Sequence, residues 1–307
     1  MLTQPQAIAV PSHEPPLRVQ DQFISIIIPA YNEQEGIGET LTKIFETMDA
    51  AQYDYEVIVV NDGSSDRTPD EVKKFPRATL VHHTRNRGSG ASTNTGVKHA
   101  RGEICVMTDG DGTYPVQDIP RLLDEMNEND MVIGARVREA GTMKVLRTPA
   151  KWFIRSLASF LTDTKIPDLN SGLRAFKKVN ALKYVHILPQ GQSWVSTITL
   201  AHLSDDLDVK WIPIDYYERK GKSKFRPVQD TYNYLMLVLR TVMYFNPMKI
   251  LFPFGALLLL LGIVRQVYEF FTINLAVHSS NVLLVIAGLN IVMMALLADL
   301  VVRRARQ

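Results

Sequence analysis

Five short apolar runs punctuate the first half of the chain, at Phe23–Ile28, Tyr55–Val60, Thr79–Val81, Ile104–Thr108 and Met131–Ile133. They are rich in β-branched residues and read as strands. Between them the apolar positions recur at helical spacing over Gly36–Met48, Pro69–Phe75, Gly88–Ala100 and Val116–Glu128. The second of these opens with Thr68, Pro69 and Glu71, a capping box with proline at the first helical position. Strand–helix alternation predicts an α/β domain whose mainly parallel sheet is covered on both faces. Such sheets bind ligands at the carboxyl ends of their strands, so the residues that follow each strand carry the functional information.

The pattern changes after Ile250. Ile250–Val264 carries no charge, and Val282–Val302 is apolar apart from Asn290 and Asp299. A membrane span needs ~20 apolar residues. The second segment meets that length, and the first does if it runs on to about Phe271, with Arg265 and Glu269 one helical turn apart and able to pair. Two buried helices of a soluble bundle are the competing reading. The intervening loop, His278 to Asn281, is short, so the two segments are expected to lie antiparallel. Lys249 precedes the first, and Arg303, Arg304 and Arg306 follow the second, which puts both ends and the soluble part on the cytoplasmic side. Gln229–Phe245 is apolar over most of its surface and reads as a helix lying in the interface, or as a core helix of the soluble domain. The expected organisation is a flexible tail (1–20), a soluble domain (21–227), an interfacial helix (228–246) and two spans (247–272 and 281–302).

Net charge is +2, from 34 basic and 32 acidic residues, so nothing marks a nucleic-acid binder. The single cysteine, Cys105, excludes a disulfide framework and a cysteine-based zinc site.

The loops after the strands are polar: Pro29-Ala-Tyr-Asn-Glu33, Asn61-Asp-Gly-Ser-Ser-Asp66, Arg85-Asn-Arg-Gly-Ser-Gly90 and Asp109-Gly-Asp111. Each taken alone could be turn chemistry; four at one sheet edge are harder to dismiss. Gly88 and Gly90 do not make a dinucleotide fingerprint, because Thr93 stands where the third glycine belongs. They are expected to let a helix N-terminus approach the strand layer, with some capacity to attract an anion. Asp109 and Asp111, two like charges at i and i+2, are either a solvated turn or a place where a cation sits.

These stretches together resemble family 2 glycosyltransferases of the GT-A fold. The likeness rests on SIIIPAYNEQEGI from Ser25, VIVVNDGSSDRT ending at Thr68, NRGSGASTNTGVKHARGE from Asn86, TDGDGTYP from Thr108, DLNSGLRAFKK from Asp168 and ERKGKSKFRP from Glu218. With the hairpin added, the chain is similar to polyprenyl-phosphate glycosyltransferases, the group that includes dolichyl-phosphate mannose synthases. The resemblance implies a GT-A (Rossmann-like) catalytic domain followed by the interfacial helix and two transmembrane helices. It also implies inverting hexose transfer from a nucleotide sugar, UDP-glucose favoured over GDP-mannose, to a polyprenyl phosphate.

The implied site follows residue by residue. Pro29, Tyr31 and Glu33 line the nucleotide pocket, Asp62 holds the base or ribose, and Asp109 and Asp111 hold Mg²⁺ or Mn²⁺ against the diphosphate. Gly110 and Gly112 leave room for the donor. Lys224, in the basic run with Lys220, Lys222 and Arg226, closes over the donor. Arg136 and Arg147, with Lys151 on the same helix face as Arg147, meet the acceptor phosphate, although a solvated basic face also explains Arg147, Lys151 and Arg155. Asp168 faces the acceptor, as a base or as an orienting group. Trp194 packs near the sugar or in the core. Asn61 and Thr113 depart from residues that many relatives carry, which leaves Thr113 doubtful as a metal ligand. Another lipid or glycan acceptor, a non-catalytic sugar-nucleotide-binding membrane module and a homo-oligomer formed through the spans remain open at this point.

Overall fold

The computed structural model describes residues 19–137, most of 156–217, isolated positions between 235 and 244, and residues 246–272 and 277–305. All five predicted strands are present, as β1 (Ile24–Ala30), β2 (Tyr55–Asn61), β3 (Ala78–His82), β4 (Ile104–Met107) and β5 (Met131–Arg136). Two more, β6 (Arg174–Lys177) and β7 (Val209–Ile214), are not announced by the apolar pattern. One seven-stranded sheet results, in the order β3-β2-β1-β4-β6-β5-β7. Every neighbouring pair is parallel except those that involve β6, which runs antiparallel to both β4 and β5. This reversal matters for the site. The segment that leads into β6 arrives at the same edge as the segments that leave β1, β2, β4 and β5.

The central strands are buried on both faces, with Ile24, Ile26, Ile27 and Ile28 of β1 fully enclosed. Each such side chain contributes about 1.5–3 kcal/mol by leaving water. One face is covered by α1 (Ile37–Ala50) and α4 (Ile119–Asp124), through Leu41, Ile44, Met48 and Leu122. The other carries α3 (Ser89–His99), α5 (Lys178–Tyr184) and α6 (Trp194–Ser204), through Val97, Ala181, Tyr184 and Ile198. Trp194 belongs to this second core: its ring lies 5.8 Å from that of Phe176, and its indole N–H donates to Asn94 at 2.7 Å. Cys105 is buried in the same layer, and burial pushes its thiol up to about 12.

Two local expectations are corrected. The predicted helix over Val116–Glu128 is three short pieces, 3-10 turns at Val116–Asp118 and Glu125–Asn127 around α4, because Pro120 sits in the first turn of α4 and forces a fresh start. The capping box at α2 (Thr68–Lys73) does not form. Asp66 takes the role instead, its Oδ1 accepting from the Thr68 amide at 2.9 Å and the Thr68 hydroxyl at 2.5 Å.

At the C-terminal end, α7 (Met248–Thr272) and α8 (Ser279–Ala305) pair as a hairpin, each long and apolar enough to cross a membrane. Only 11 % of the most apolar stretch of each is buried, whereas a core helix of a soluble bundle is mostly enclosed. The helices touch closely: a Cβ on Gly288 would lie 2.5 Å from the Leu259 nitrogen. Arg265 and Glu269 pair at 2.8 Å as the spacing predicts. α8 begins before Asn281, since the His278 carbonyl already accepts from the Asn281 and Val282 amides. The predicted interfacial helix lies largely outside the described residues; the described positions 235–236, 239–240 and 243–244 are helical.

Candidate active site

The carboxyl edge is built from loops that hold one another. After β1 the chain turns at Asn32, whose φ of 57° a short polar side chain tolerates. The Asn32 amide donates to the Ser64 hydroxyl at 3.0 Å, and its Oδ1 accepts from the Ser65 amide at 2.9 Å. The Glu33 amide donates to the Thr68 hydroxyl at 2.8 Å, while its carbonyl receives the Gly36 and Ile37 amides that open α1. Pro29 and Ala30 pair in register with Val60 and Asn61, which brings the first two loops side by side. Tyr31 stands at their rim, 39 % exposed.

Asp62 makes its described hydrogen bonds within the chain. It is buried, and its carboxylate is taken up by the chain: Oδ1 accepts from His83 Nδ1 at 2.7 Å and the Arg87 amide at 2.9 Å, and Oδ2 from the Gly88 amide at 2.8 Å. His83 in turn reaches the Thr95 hydroxyl at 2.9 Å through Nε2. Asp62 therefore anchors the Arg85–Gly90 loop at its root. The start of α3 is also committed: the Ala91 amide donates to the Gln190 carbonyl at 2.8 Å, and a Cβ on Gly90 would meet the Pro189 carbonyl oxygen at 2.3 Å. The two glycines permit close docking of the Pro189–Gly191 backbone.

The Asp109-Gly-Asp111 loop is pressed against the first turn of α1. A Cβ on Gly36 would meet the Gly110 carbonyl at 2.9 Å, and one on Gly110 would meet Ile37 Cδ1 at the same distance. Gly110 thus makes room for α1, and Gly112 serves a turn at φ 74° with open space where a Cβ would stand. Asp111 is buried, and its Oδ1 accepts from the Thr113 amide at 3.1 Å and the Thr113 hydroxyl at 2.6 Å. Thr113 orients the carboxylate. Among the described residues no group of three or more His, Cys, Asp or Glu side chains gathers as a ready-made cage. Two carboxylates fit a hard cation that keeps waters and draws its remaining oxygens from a diphosphate.

The segment entering β6 brings the second half of the site. Arg136, at the end of β5, grips Asp168 with Nε on Oδ2 at 2.7 Å and Nη2 on Oδ1 at 3.0 Å. The Asn170 amide donates to Oδ1 at 3.0 Å. Burial alone would push this carboxyl up; the Arg136 hydrogen bonds and charge prevail and hold it below the ordinary range. The Arg136 guanidinium also lies 5.2 Å over the Tyr216 ring. Two residues on, the Gly172 amide donates to the Tyr114 hydroxyl at 2.7 Å, and a Cβ on Gly172 would come within 3.1 Å of Asp109 Oδ2. Burial, then the Asp109 charge, push the Tyr114 hydroxyl well above its usual range.

The structure thus brings Asp109, Asp111, Arg136 and Asp168 to one edge, beside Pro29, Tyr31 and Glu33. Arg147, Lys151 and Arg155, and Lys220, Lys222, Lys224 and Arg226, lie outside the described residues. Sequence reasoning missed Tyr114, Tyr216, Trp211 and Arg174. Arg174 is the clearest omission, because an arginine opening the apolar run Arg174–Lys177 is a charge entering a core. It is fully buried, with donors on the Ser171 carbonyl, the Val195 carbonyl at 2.8 Å and the Thr199 hydroxyl at 2.9 Å. Burial lowers it to about 10, so it remains a cation at neutral pH.

Comparison with known proteins gives two family matches, one to glycosyl transferase family 2 over residues 25–183 and one to the GtrB C-terminal hairpin over residues 246–303. An undecaprenyl-phosphate 4-deoxy-4-formamido-L-arabinose transferase of Edwardsiella ictaluri is 28 % identical over 249 residues, which is 78 % of this chain and 74 % of that protein. A dolichyl-phosphate beta-glucosyltransferase of Trichomonas vaginalis is 28 % identical over 66 % of each chain. A dolichyl-phosphate hexose transferase of Haloferax volcanii is 29 % identical over 66 % of this chain and 87 % of its own. In fold, the chain matches glucosyl-3-phosphoglycerate synthase of Mycobacterium tuberculosis, crystallised with Mn²⁺ and UDP-glucose, with a TM-score of 0.55 and 18 % identity over 73 % of this chain and 78 % of that one.

Proposed function

The chain belongs to glycosyl transferase family 2, and on that premise we propose that it transfers one hexose from a nucleoside diphosphate to a polyprenyl phosphate at a membrane surface, with inversion. The observation that carries this reading is the junction at Gly172. It sets the acidic Asp109–Asp111 loop against the Asp168–Arg136 pair, on a domain that continues into a hairpin fit to enter lipid.

In this reading Asp109 and Asp111 face the diphosphate, with Pro29, Tyr31 and Glu33 along the nucleotide, Lys224 closing over it and Asp62 acting through the loop it anchors. Mg²⁺ or Mn²⁺ held by the two carboxylates supplies neutralisation of the charge that collects on the leaving diphosphate. Arg136 presents its guanidinium, aligned by Asp168, to the acceptor phosphate, with Arg147 and Lys151 as further cations; a planar fork suits phosphate better than an ammonium does. An acceptor oxygen attacks the anomeric carbon as the bond to the diphosphate oxygen breaks. A phosphate monoester has its second pKa near ~6 and is already largely dianionic at neutral pH. Asp168, ionised and paired, therefore orients and is not needed as a base.

The relatives favour a polyprenyl-phosphate acceptor, and the glucosyl-transferring one makes UDP-glucose the donor to try first and GDP-mannose the second. The charges flanking the hairpin favour a cytoplasmic domain and cytoplasmic termini, and Asn290, exposed on α8, could face a second copy. The test is to incubate membranes holding the full chain with radiolabelled donor and undecaprenyl phosphate, with and without chelator. Metal-dependent, acid-labile labelled lipid is the expected result. Labelled lipid that survives mild acid, or none with either donor, overturns the reading.

A further inference from the structure

The segment that carries Asp168 is bound to the start of the hairpin. Leu169 is buried in a small apolar cluster with Ile166, Leu200 and Leu203, against which Trp211 and Ile250 pack. Ile250 lies in the first turn of α7, the first membrane helix. Its neighbour Lys249 forms an ion pair with Asp163, at the other end of the same segment. Between these two attachments the Trp211 indole N–H donates to the Asp168 main-chain carbonyl at 2.9 Å. Phe160, just upstream, is 67 % exposed. An exposed aromatic three residues before Asp163, the partner of the lysine that opens the first membrane helix, suits a contact at the headgroup level.

From these contacts we propose that the first turn of the hairpin, with Trp211, is a positioning element for the acceptor site. Ile250 and Lys249 fix Asp163–Asn170, Trp211 pins the backbone of Asp168 within it, and Asp168 in turn aligns Arg136. The physical reason lies in what the loop lacks. Asp163–Asn170 has no strand or helix of its own among the described residues, so its conformation is set by what it packs on. Four of its anchors are apolar side chains or an indole outside the segment, and one of these belongs to the membrane helix. The hairpin would then do more than retain the enzyme at the bilayer: it would complete the geometry that receives the lipid phosphate. This rests on the acceptor assignment above, and the experiment separates the two.

The full chain in detergent is compared with Ile250→Ala, the milder Ile250→Val and Trp211→Phe, which keeps a ring and loses the N–H. Two readouts are taken. One is the KM for a short-chain polyprenyl phosphate, set against donor affinity measured by thermal shift with UDP and Mn²⁺. The other is amide hydrogen exchange over residues 163–172, which needs no activity. The expected result is an acceptor KM raised on the order of tenfold in Ile250→Ala and Trp211→Phe and less in Ile250→Val, donor affinity unchanged, and faster exchange confined to 163–172. A hairpin that serves only as an anchor would leave the KM for a short, freely soluble acceptor untouched. That result, exchange unchanged over 163–172, or donor and acceptor affinity falling together would overturn the proposal. Wild-type chain that transfers to no polyprenyl phosphate would sink the acceptor assignment, while the exchange pattern would still decide the positioning role.

Discussion

Arg136 and Asp168 form a two-pronged pair, Nε to Oδ2 at 2.7 Å and Nη2 to Oδ1 at 3.0 Å, with both side chains mostly shielded from water. The pair decides what each group can do. A carboxylate that accepts two charged hydrogen bonds is a poor proton acceptor, and a guanidinium aligned on one edge has its remaining N–H groups fixed in direction.

The pH consequence has a definite sign. The Asp168 carboxyl is raised by burial and lowered further by Arg136, for a net fall below its ordinary value. A depressed carboxyl contributes above its unfolded pKa of ~3.9 and is lost only as pH drops through the lower folded value. Across the working range Asp168 stays ionised. The acid limb of acceptor kcat/KM should therefore lie near ~6, where the acceptor phosphate gains a proton, and Asp168→Asn should lower the rate by about 10²-fold without moving that limb. A pH–rate profile of both proteins checks this; a limb displaced in the variant would restore Asp168 as a base.

Gly172→Ala tests the junction of the two halves. The new methyl would stand 3.1 Å from both Asp109 Oδ2 and Tyr114 Cε2, tighter than ordinary packing, so one of them must give way. Tyr114 is held in the core and hydrogen-bonded to the Gly172 amide, so the displacement is expected to fall on the Asp109 carboxylate. The expected outcome is roughly tenfold weaker Mn²⁺-dependent binding of UDP with little change in Tm. Calorimetric titration with and without Mn²⁺ reads it.

What the sequence disclosed follows from what each element depends on. β1, β2 and β4 are continuous apolar runs because both their faces are covered, and such runs are visible without any partner. β6 is four residues that begin with Arg174 and end with Lys177, and its strand state comes from lying between β4 and β5. β7 is an edge strand holding Pro213, which a central strand could not tolerate. The acidic pair was legible from spacing and its position after a strand. Asp168 was not, since it precedes its strand, and only the antiparallel course of β6 returns it to the ligand edge; likeness to a family supplied it. Asp62 shows the opposite case. A polar residue after a strand looks like a ligand, and the Arg87 and Gly88 amides that claim it become visible only in three dimensions.

The anchoring role of Asp62 is itself testable. Asp62→Ala would leave the Arg87 and Gly88 amides and His83 without their acceptor in a buried place. Each orphaned donor costs about 1–3 kcal/mol, so a stability loss of at least about 2 kcal/mol is expected, with faster hydrogen exchange over 85–90. Denaturant unfolding measures the loss. A variant of unchanged stability that fails only in nucleotide binding would return Asp62 to the ligand set.

Arg174 is a buried cation that donates to two carbonyls, a hydroxyl and the Met131 sulfur. Burial costs it enough to bring its pKa down to about 10, so it is kept for what it holds: the Ser171 carbonyl, one residue from the Gly172 amide that meets Tyr114. In Arg174→Lys a single ammonium cannot span the Ser171 and Val195 carbonyls, whereas the fork of a guanidinium does. One carbonyl is left unpaired, for a loss of about 1–3 kcal/mol. If Arg174 only props the core, kcat/KM should fall no further than the folded fraction does. If it sets the Asn170–Gly172 turn, fully folded Arg174→Lys at low temperature should still show a raised acceptor KM and weakened metal-dependent UDP binding together, because the same turn touches Asp168 on one side and Asp109 on the other. Measuring both constants on one preparation, alongside its melting curve, distinguishes the two, and the closeness of Asp109 to Gly172, where an added Cβ would stand 3.1 Å from Oδ2, leads us to expect the joint effect.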